Sequence, residues 1–186
     1  MNTLNDFVSR WNAMLSEVGD TTPAKFFRLP TGDFPFLRAD ELQLLREVGL
    51  PDGGSSFSYE DVEDGIPRVD EVYGPNDEEL WQRIGRDSVA RFRMLGQDGG
   101  GNPLVLNLET HEIHLLDHES DFQPYGLAGS SLAQFMECLL VFTRVESSAP
   151  DVDVAALQAQ LRAIDPQLAE RNGYWFSTAT DLPDFT

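Results

Sequence analysis

The chain has 186 residues, and its 32 acidic side chains outnumber its 13 basic side chains, so its formal net charge is −19. A surface of this charge repels nucleic acid, anionic lipid and phosphorylated metabolites, so the sequence excludes these partners and favours a basic protein surface. Apolar residues form 41% of the chain and include 12 Phe and 3 Trp, which is enough to build a folded core rather than a disordered acidic tail.

The N-terminal part of the chain predicts two helices separated by an extended segment. Residues 3–18 place apolar side chains on one face at helical spacing. Residues 21–37 contain several Pro and Phe, and we expect them to form an irregular segment that packs on the core through its rings. Asp40 and Gln43 can form a capping box for a short helix that ends at Val48.

Acidic residues are concentrated between Glu60 and Glu79, a segment called the acidic band below. It holds nine acids and a single basic residue, Arg68. One interpretation is a solvated loop, with short strands near Ser56–Tyr59 and Val69–Tyr73. The alternative is a docking surface for a basic partner, with aromatic anchors among the acids. The candidate partner-binding residues are Tyr59, Glu60, Asp61, Glu63, Asp64, Asp70, Glu71, Tyr73, Asp77, Glu78, Glu79 and Trp81.

The middle of the chain predicts a meander of β-strands. We expect successive strands at Ile84, Val89–Leu95, Leu104–Leu108 and Glu112–Leu116, joined by a Gly-rich loop and a tight turn. Apolar residues occupy both faces of the Leu104–Leu108 strand. This pattern is typical of a central strand that is covered on both faces.

The C-terminal part of the chain predicts helices. The first covers Leu132–Arg144, can be capped by residues 131–134, and is apolar enough to be buried against the sheet. A second helix is expected at Val152–Ile164, followed by one or two helical turns from Asp165. The aromatic run Tyr174–Phe176 is expected to dock the tail on the core.

The histidines are the strongest candidates for a metal site in this sequence. The three histidines of the chain, His111, His114 and His118, fall within eight residues, and imidazole is a common metal ligand. Zinc-binding HExxH motifs need two histidines four apart on a helix, whereas this segment predicts a strand on which His114 shares a face with Glu112. A solvated hairpin edge is therefore the favoured interpretation. No catalytic, cofactor-binding or metal-binding residue is predicted.

Other features of the sequence indicate a cytoplasmic, bacterial protein. Cys138 is the only cysteine, so no internal disulfide can form, and it lies in an apolar helix where a thiol acts as a small hydrophobe. No basic region followed by an apolar run is present at the N-terminus, and no apolar stretch approaches the ~20 residues that span a bilayer. Lys25 is the only lysine beside many arginines, a bias of GC-rich bacterial genomes.

Four short motifs follow one another along the chain. They are Leu45–Pro51, which closes a helix, Ile84–Gly85, which opens the meander, the hairpin of residues 104–116, and Ser130–Leu132, which opens a buried helix. This order resembles the fourth subfamily of the SUKH superfamily of bacterial immunity proteins over residues 40–175. The family's hairpin turn usually has Gly where this chain has His111, a residue type that tolerates left-handed backbone better than most.

The resemblance implies an α+β fold with a central, largely antiparallel β-sheet flanked by helices. It also predicts a single domain over residues 1–186. In this division an N-terminal helix and extended segment, residues 1–38, precede a SUKH-like core, residues 39–146. A C-terminal helical appendage, residues 147–186, follows.

The resemblance further implies a non-enzymatic immunity protein that binds and neutralises a cognate polymorphic toxin of the nuclease or deaminase class through an acidic surface. No cofactor is expected. The expected partner is a toxin domain with a basic surface, and the protein itself is expected to be a monomer or a weak homodimer. Two alternatives stay open: a protein-interaction or signalling scaffold of the same fold, and a small metal-dependent hydrolase that uses the three histidines.

Overall fold

The computed structural model describes residues 3–20, 22–52, 57–146, 152–171 and 173–181. Its helices are α1 (Thr3–Glu17), α2 (Ala39–Glu47), α3 (Glu60–Glu63), α4 (Val69–Val72), α5 (Glu78–Ile84), α6 (Arg86–Val89), α7 (Leu132–Glu146), α8 (Val154–Ile164), α9 (Pro166–Glu170) and α10 (Tyr174–Asp181). Its strands are β1 (Phe26–Phe27), β2 (Leu50–Pro51), β3 (Phe57–Ser58), β4 (Phe92–Asp98), β5 (Pro103–Asn107), β6 (Ile113–Asp117) and β7 (Gln123–Gly129). The fold is therefore α+β, as the resemblance implies.

Strands β3 to β7 form a five-stranded antiparallel sheet in which neighbours in the chain are neighbours in the sheet. β5 lies at the centre, and every residue in it is buried. Leu104 and Leu106 pack in one apolar cluster, whereas Val105 between them packs in a second cluster. Because successive strand residues point to opposite faces, both faces of the sheet are covered, and the predicted central position of this strand is confirmed.

The larger of the two clusters, called the large core, lies between one face of the sheet and a layer formed by α1, α2 and α7 to α10. Trp11, Phe135 and Trp175 are fully buried there. A Cβ added to Gly129 would lie 2.8 Å from the Cβ of Phe135, so glycine at this position lets α7 pack directly on β7.

The smaller cluster, called the small core, covers the other face of the sheet. It consists of Phe92, Met94, Val105, Leu116 and Phe122 from the sheet and its last turn, and Val69, Trp81 and Val89 from α4, α5 and α6. The rings of Trp81 and Phe122 stack with centroids 5.7 Å apart and planes inclined by 13°. The solvated-loop interpretation of the acidic band is therefore wrong for its α4 and α5 part, because these short helices cover the second face of the sheet.

Several predicted boundaries in this region are also wrong. The strand expected at Val69–Tyr73 is helix α4, and Ile84 is the last residue of helix α5. Val89 ends helix α6, so the strand expected from this residue begins at Phe92 instead. The short strand expected near Ser56–Tyr59 is confirmed by β3, although Ser56 itself lies outside the described residues.

Local hydrogen bonds explain why these segments are helical. At the start of α4, the carboxylate of Glu71 accepts a hydrogen bond from the backbone N–H of Arg68 at 2.8 Å. At the start of α5, Asp77 accepts one from the backbone N–H of Leu80 at 2.9 Å. These caps satisfy N–H groups that a helix leaves open, and together with burial of Val69 they outweigh the strand propensity of Val and Tyr.

Among the elements absent from the sequence-based prediction are β1, β2, β7 and α10. β1 pairs with β2 beside the large core, β7 forms one edge of the sheet, and α10 contains the aromatic run of the tail. β7 was not predicted because Pro124 and Gly126 have low strand propensity. In the structure, pairing with β6 holds both residues in an extended conformation. The docking of the tail is confirmed, since the indole N–H of Trp175 donates to the carbonyl of Ala128 at 2.6 Å.

The remaining helices largely match their predictions. α7 starts after Ser131, whose Oγ accepts a hydrogen bond from the backbone N–H of Gln134 at 3.2 Å. α8 buries Leu157 and Leu161 as expected. The capping pair of α2 is not the expected Asp40 and Gln43, because the backbone N–H of Arg38 donates to Glu41 at 2.8 Å.

The division of the chain at residues 38 and 146 stays a prediction, and residues 147–151 at the second boundary lie outside the described residues. Within the described ranges, no helix combines the length and the apolar character needed to cross a bilayer.

Candidate functional site: the acidic band and the neighbouring strand edge

The acidic band presents most of its carboxylates to solvent. Asp61 is half-buried, and seven other acids of the band are exposed: Glu60, Glu63, Asp64, Glu71, Asp77, Glu78 and Glu79. α3 packs on the large core through Val62 and through Tyr59, the residue that precedes the helix, and both are fully buried. α4 and α5 lie over the small core. The fold therefore displays the charge of the band on the outside of packed short helices.

Four of the predicted partner-binding residues are not free surface groups. Tyr59 is 0% exposed, Asp70 2% and Trp81 3%. Tyr73 is half-buried, and its hydroxyl donates to the carbonyl of Gly101 at 2.5 Å. In the docking-surface alternative, the three aromatic residues serve as anchors for the partner. Tyr59 and Trp81 instead fill the core in this conformation, because they are the large apolar groups on which α3 and α5 pack.

Asp70 has a structural role beneath the acidic surface. Its Oδ2 lies 2.9 Å from Nη2 of Arg68 and 3.2 Å from Nη1 of Arg86. Arg86 also contacts Glu78 at 3.2 Å, and its guanidinium lies 5.3 Å from the ring centroid of Trp81. A buried carboxylate needs such paired cations, so this cluster ties α4, α5 and α6 together.

The exposed acids differ in how far their charge is compensated. Glu71 lies 3.4 Å from Arg68, Glu78 pairs with Arg86, and Glu63 lies 3.7 Å from Lys25. By contrast, four exposed acids have no cation within 4.0 Å among the described residues. One of them, Asp77, caps α5 by accepting a hydrogen bond from the backbone N–H of Leu80, and the other three are Glu60, Asp64 and Glu79. These three carboxylates are the part of the band whose charge is most available to a partner.

Carboxylates influence one another where α3 meets the end of β4. Burial raises the pKa of Asp61, and the neighbouring carboxylates Asp64 and Glu60 raise it further. Burial likewise raises the pKa of Tyr73 to about 12, with smaller contributions from Asp61 and Asp98. Several carboxylates therefore act on Asp61 and Tyr73 at this end of the sheet. The positive charges of a basic partner would reduce the repulsion among these carboxylates.

The histidines do not form a solvated hairpin edge, and that interpretation is wrong. His111 is left-handed with φ 62°, and its Nδ1 lies 2.8 Å and 3.0 Å from the two carboxylate oxygens of Glu41. His114 is 9% exposed, and its Nε2 lies 3.1 Å from Glu112, with which it shares a strand face as predicted. Burial lowers the pKa of His114, although Glu112 partly opposes this effect.

The structure does not bring the histidines together as a metal site. His118 is engaged elsewhere, with Nδ1 2.9 Å from Oδ1 of Asn102 and its ring 6.3 Å from that of Tyr73. Glu112 accepts hydrogen bonds from Arg171, and the side-chain hydrogen bond with this guanidinium lowers the pKa of Glu112. In the part of the chain that the structure describes, no group of three His, Cys, Asp or Glu side chains is arranged to hold a metal ion.

Sequence reasoning missed one exposed aromatic residue. Tyr125 lies in β7 and is 58% exposed, more than the only other exposed large hydrophobic residue among those described, Val72 at 39%. It was missed because β7 was not predicted. The signal that could have indicated it is a tyrosine between Pro124 and a glycine, four residues after the acidic turn of residues 117–121.

Comparison with known proteins gives one match. A family model described as SUKH-4 immunity protein matches residues 13–181, a range that includes the acidic band, the whole five-stranded sheet and Tyr125. No curated protein and no solved structure matches the chain.

Proposed function

Because the chain belongs to the SUKH-4 immunity protein family, we propose that it protects a cell by binding and neutralising a cognate toxin domain, without catalysing a reaction itself. The observation that carries the proposed binding mode is the exposed set of uncompensated acids in the acidic band, Glu60, Asp64 and Glu79. A carboxylate without an internal partner loses no existing ion pair when a lysine or arginine of a partner approaches it.

The acidic surface favours a toxin of the nuclease or deaminase class. Such enzymes act on nucleic acid and need a basic cleft to hold its phosphates. A protein with a formal charge of −19 is attracted to that cleft, and electrostatic steering can raise the association rate by about 10–10³ at low salt. An acidic protein that covers the cleft also prevents the substrate from entering it.

We restrict the proposed partner-binding residues to those that are exposed. Tyr59, Asp70 and Trp81 are buried, so we assign them the task of holding the short helices in place. The exposed acids of the band are assigned to the partner. Charged residues at the rim of an interface act mainly on the association rate and its salt dependence, which makes the assignment measurable.

The proposed function is tested with the toxin domain encoded by the adjacent reading frame. Co-expression with the active toxin domain is expected to restore growth of the host cell, and the purified proteins are expected to form a tight 1:1 complex. If growth is not restored and no complex forms, the protein is not the immunity partner of that toxin.

The role of the acidic band is tested by reversing the three uncompensated acids together, Glu60→Lys, Asp64→Lys and Glu79→Lys. We expect the association rate with a catalytically inactive toxin domain to fall about tenfold or more at low salt and to lose much of its salt dependence. The matched control reverses three exposed acids outside the band, Asp33, Glu109 and Glu170, and so changes the net charge equally. Equal losses in both variants would show that net charge alone matters and that the band is not the interface.

A further inference from the structure

The position of Tyr125 is unusual for this protein. The other three tyrosines, Tyr59, Tyr73 and Tyr174, are buried or half-buried. An aromatic side chain contributes a large apolar area when it is covered, and tyrosine is enriched among the residues that dominate binding energy at interfaces. Because Tyr125 is 58% exposed, more than half of its surface remains to be buried by a partner.

A β-bulge presents this side chain. In the ladder between β6 and β7, Leu115 pairs with Gly126 and Leu116 pairs with Pro124, which leaves Tyr125 without a partner in the register. Bulges of this kind redirect a side chain and are common next to functional sites.

The strand that carries the bulge is held firmly on both sides of Tyr125. Before the bulge, the ring of Phe122 stacks on Trp81 and contacts the ring of Tyr73, 5.4 Å away. Beyond it, a Cβ added to Gly126 would lie 3.2 Å from the backbone of Tyr174, so this glycine fits closely against α10. A side chain on such a rigid support loses little conformational entropy on binding.

Tyr125 also lies next to the proposed interface. It follows Phe122 by three residues, a span of at most about 10 Å in a strand. Phe122 packs against Trp81 of α5, and Asp121 beside it lies 2.6 Å from Arg83 of the same helix. A typical interface covers about 800 Å² on each partner, roughly 30 Å across, so one partner can contact both α5 and Tyr125.

We propose that Tyr125, displayed by the β7 bulge at the margin of the acidic band, is the aromatic anchor that inserts into an apolar pocket on a basic protein partner. This inference rests on the proposed function, because it names the residue that would hold the toxin after electrostatic attraction has brought it close.

The surroundings of Tyr125 favour a basic partner over a second copy of this chain. The preceding turn contains Asp117, Glu119 and Asp121. Tyr174, against which the strand packs, has its pKa raised to about 12 by burial, with smaller contributions from Asp98, Glu146 and Tyr125 itself. Two copies of such a surface would repel each other, whereas lysine and arginine at the rim of a pocket would pair with the acids and with the tyrosine ring.

The edge of β7 is unsuited to the addition of another strand. Pro124 has no backbone N–H to donate, and prolines and bulges are the devices by which natural sheets prevent edge-to-edge pairing. The partner is therefore expected to recognise the side chain of Tyr125 rather than to extend the sheet.

The test compares Tyr125→Ala, Tyr125→Phe and Val72→Ala for binding to the inactivated toxin domain from the adjacent reading frame. We expect Tyr125→Ala to weaken affinity about 30-fold or more, almost entirely through faster dissociation and with unchanged salt dependence. Tyr125→Phe should stay within about threefold of the parent protein, because the ring supplies most of the buried area. Val72→Ala is the matched control for loss of an exposed apolar side chain.

The possible failures are distinguishable. If the parent protein binds the toxin domain and Tyr125→Ala binds within twofold of it, the anchor is refuted while the proposed function stands. The anchor is equally refuted if Tyr125→Ala and Val72→Ala lose the same affinity. If the parent protein does not bind the toxin domain at all, both the proposed function and the anchor role of Tyr125 are refuted. An unchanged thermal midpoint in Tyr125→Ala confirms that the fold is intact, as expected for an exposed residue.

Discussion

The two faces of the sheet are covered by layers of very different construction. The large core is covered by long helices, among them α1 and α7 with 15 residues each, and its packing is almost wholly apolar. The small core is covered by α4, α5 and α6, of 4, 7 and 4 residues, which depend on capping carboxylates and on the ion pairs of Asp70. One face of the sheet is therefore held almost wholly by apolar packing, whereas the layer on the other face also depends on charged side chains.

This difference shows how an acidic surface can be built on a stable fold. Short helices with few buried residues contribute little packing energy, so their sequence can carry many exposed carboxylates at small cost to the core. Each of them is instead fixed by one or two buried residues, which are Val69 and Asp70 in α4, Trp81 in α5 and Val89 in α6. The result is a surface rich in charge whose shape is nevertheless defined.

The largest expected effect comes from comparing one tryptophan in each layer. Trp175→Ala in the large core and Trp81→Ala in the small core each remove a side chain that is at most 3% exposed, at a cost of about 3–5 kcal/mol of unfolding free energy. Urea denaturation measures both losses. Hydrogen exchange should then separate them, with protection lost throughout the sheet for Trp175→Ala but mainly in α4 to α6 for Trp81→Ala. Identical exchange patterns would show that the two layers form one cooperative unit.

The next effect concerns the ion pairs that hold the acidic layer. Asp70→Ala removes a buried carboxylate but leaves Arg68 and Arg86, whose side chains are 42% and 36% exposed and can reach water. We therefore expect a loss of about 2 kcal/mol, below the 3–5 kcal/mol typical of breaking a buried pair. The control Glu79→Ala, at an exposed acid of the same layer, should change stability by less than about 0.5 kcal/mol. An Asp70→Ala protein as stable as this control would refute the structural role of Asp70.

The smallest effect is a pH dependence that arises from His114. His114 shares a face of the sheet with Val105, and the charged groups around it are Glu112, Arg171 and Arg91. Because burial lowers the pKa of His114 in the folded state, the unfolded chain binds more protons near its ordinary pKa of about 6.5. Stability due to this group is therefore complete above that pH and is lost as the pH falls below it.

This dependence is measured as the free energy of unfolding between pH 7.5 and pH 5.0, where Glu112 stays ionised because the hydrogen bond from Arg171 lowers its pKa. In His114→Asn the decline toward low pH should be reduced, since the titrating group is gone. A decline of the same size in both proteins would assign the pH dependence to other groups.

The sequence alone predicts the helices and strands whose sequence signals lie within a short stretch of chain. The helical spacing of α1, the serine cap of α7 and the two-sided apolar pattern of β5 all lie within short stretches of chain, and all three predictions are confirmed. The predictions for the β7 and α4 segments failed because the local propensities of their residues favour other secondary structures. Pairing with β6 holds Pro124 and Gly126 in a strand, and burial of Val69 on the sheet holds α4 in a helix.

The candidate site divides in the same way. Net charge and the concentration of acids between Glu60 and Glu79 follow from composition, so the expectation of a basic partner needs no coordinates. Which acids are free depends on where arginines distant in the sequence lie, and Arg86 reaches Asp70 across 16 positions of the chain. Tyr59, Trp81 and Tyr125 are alike as aromatic residues in an acidic setting. Only the packing of the helices and strands around them buries the first two and leaves the third exposed, because burial is a property of contacts between distant segments.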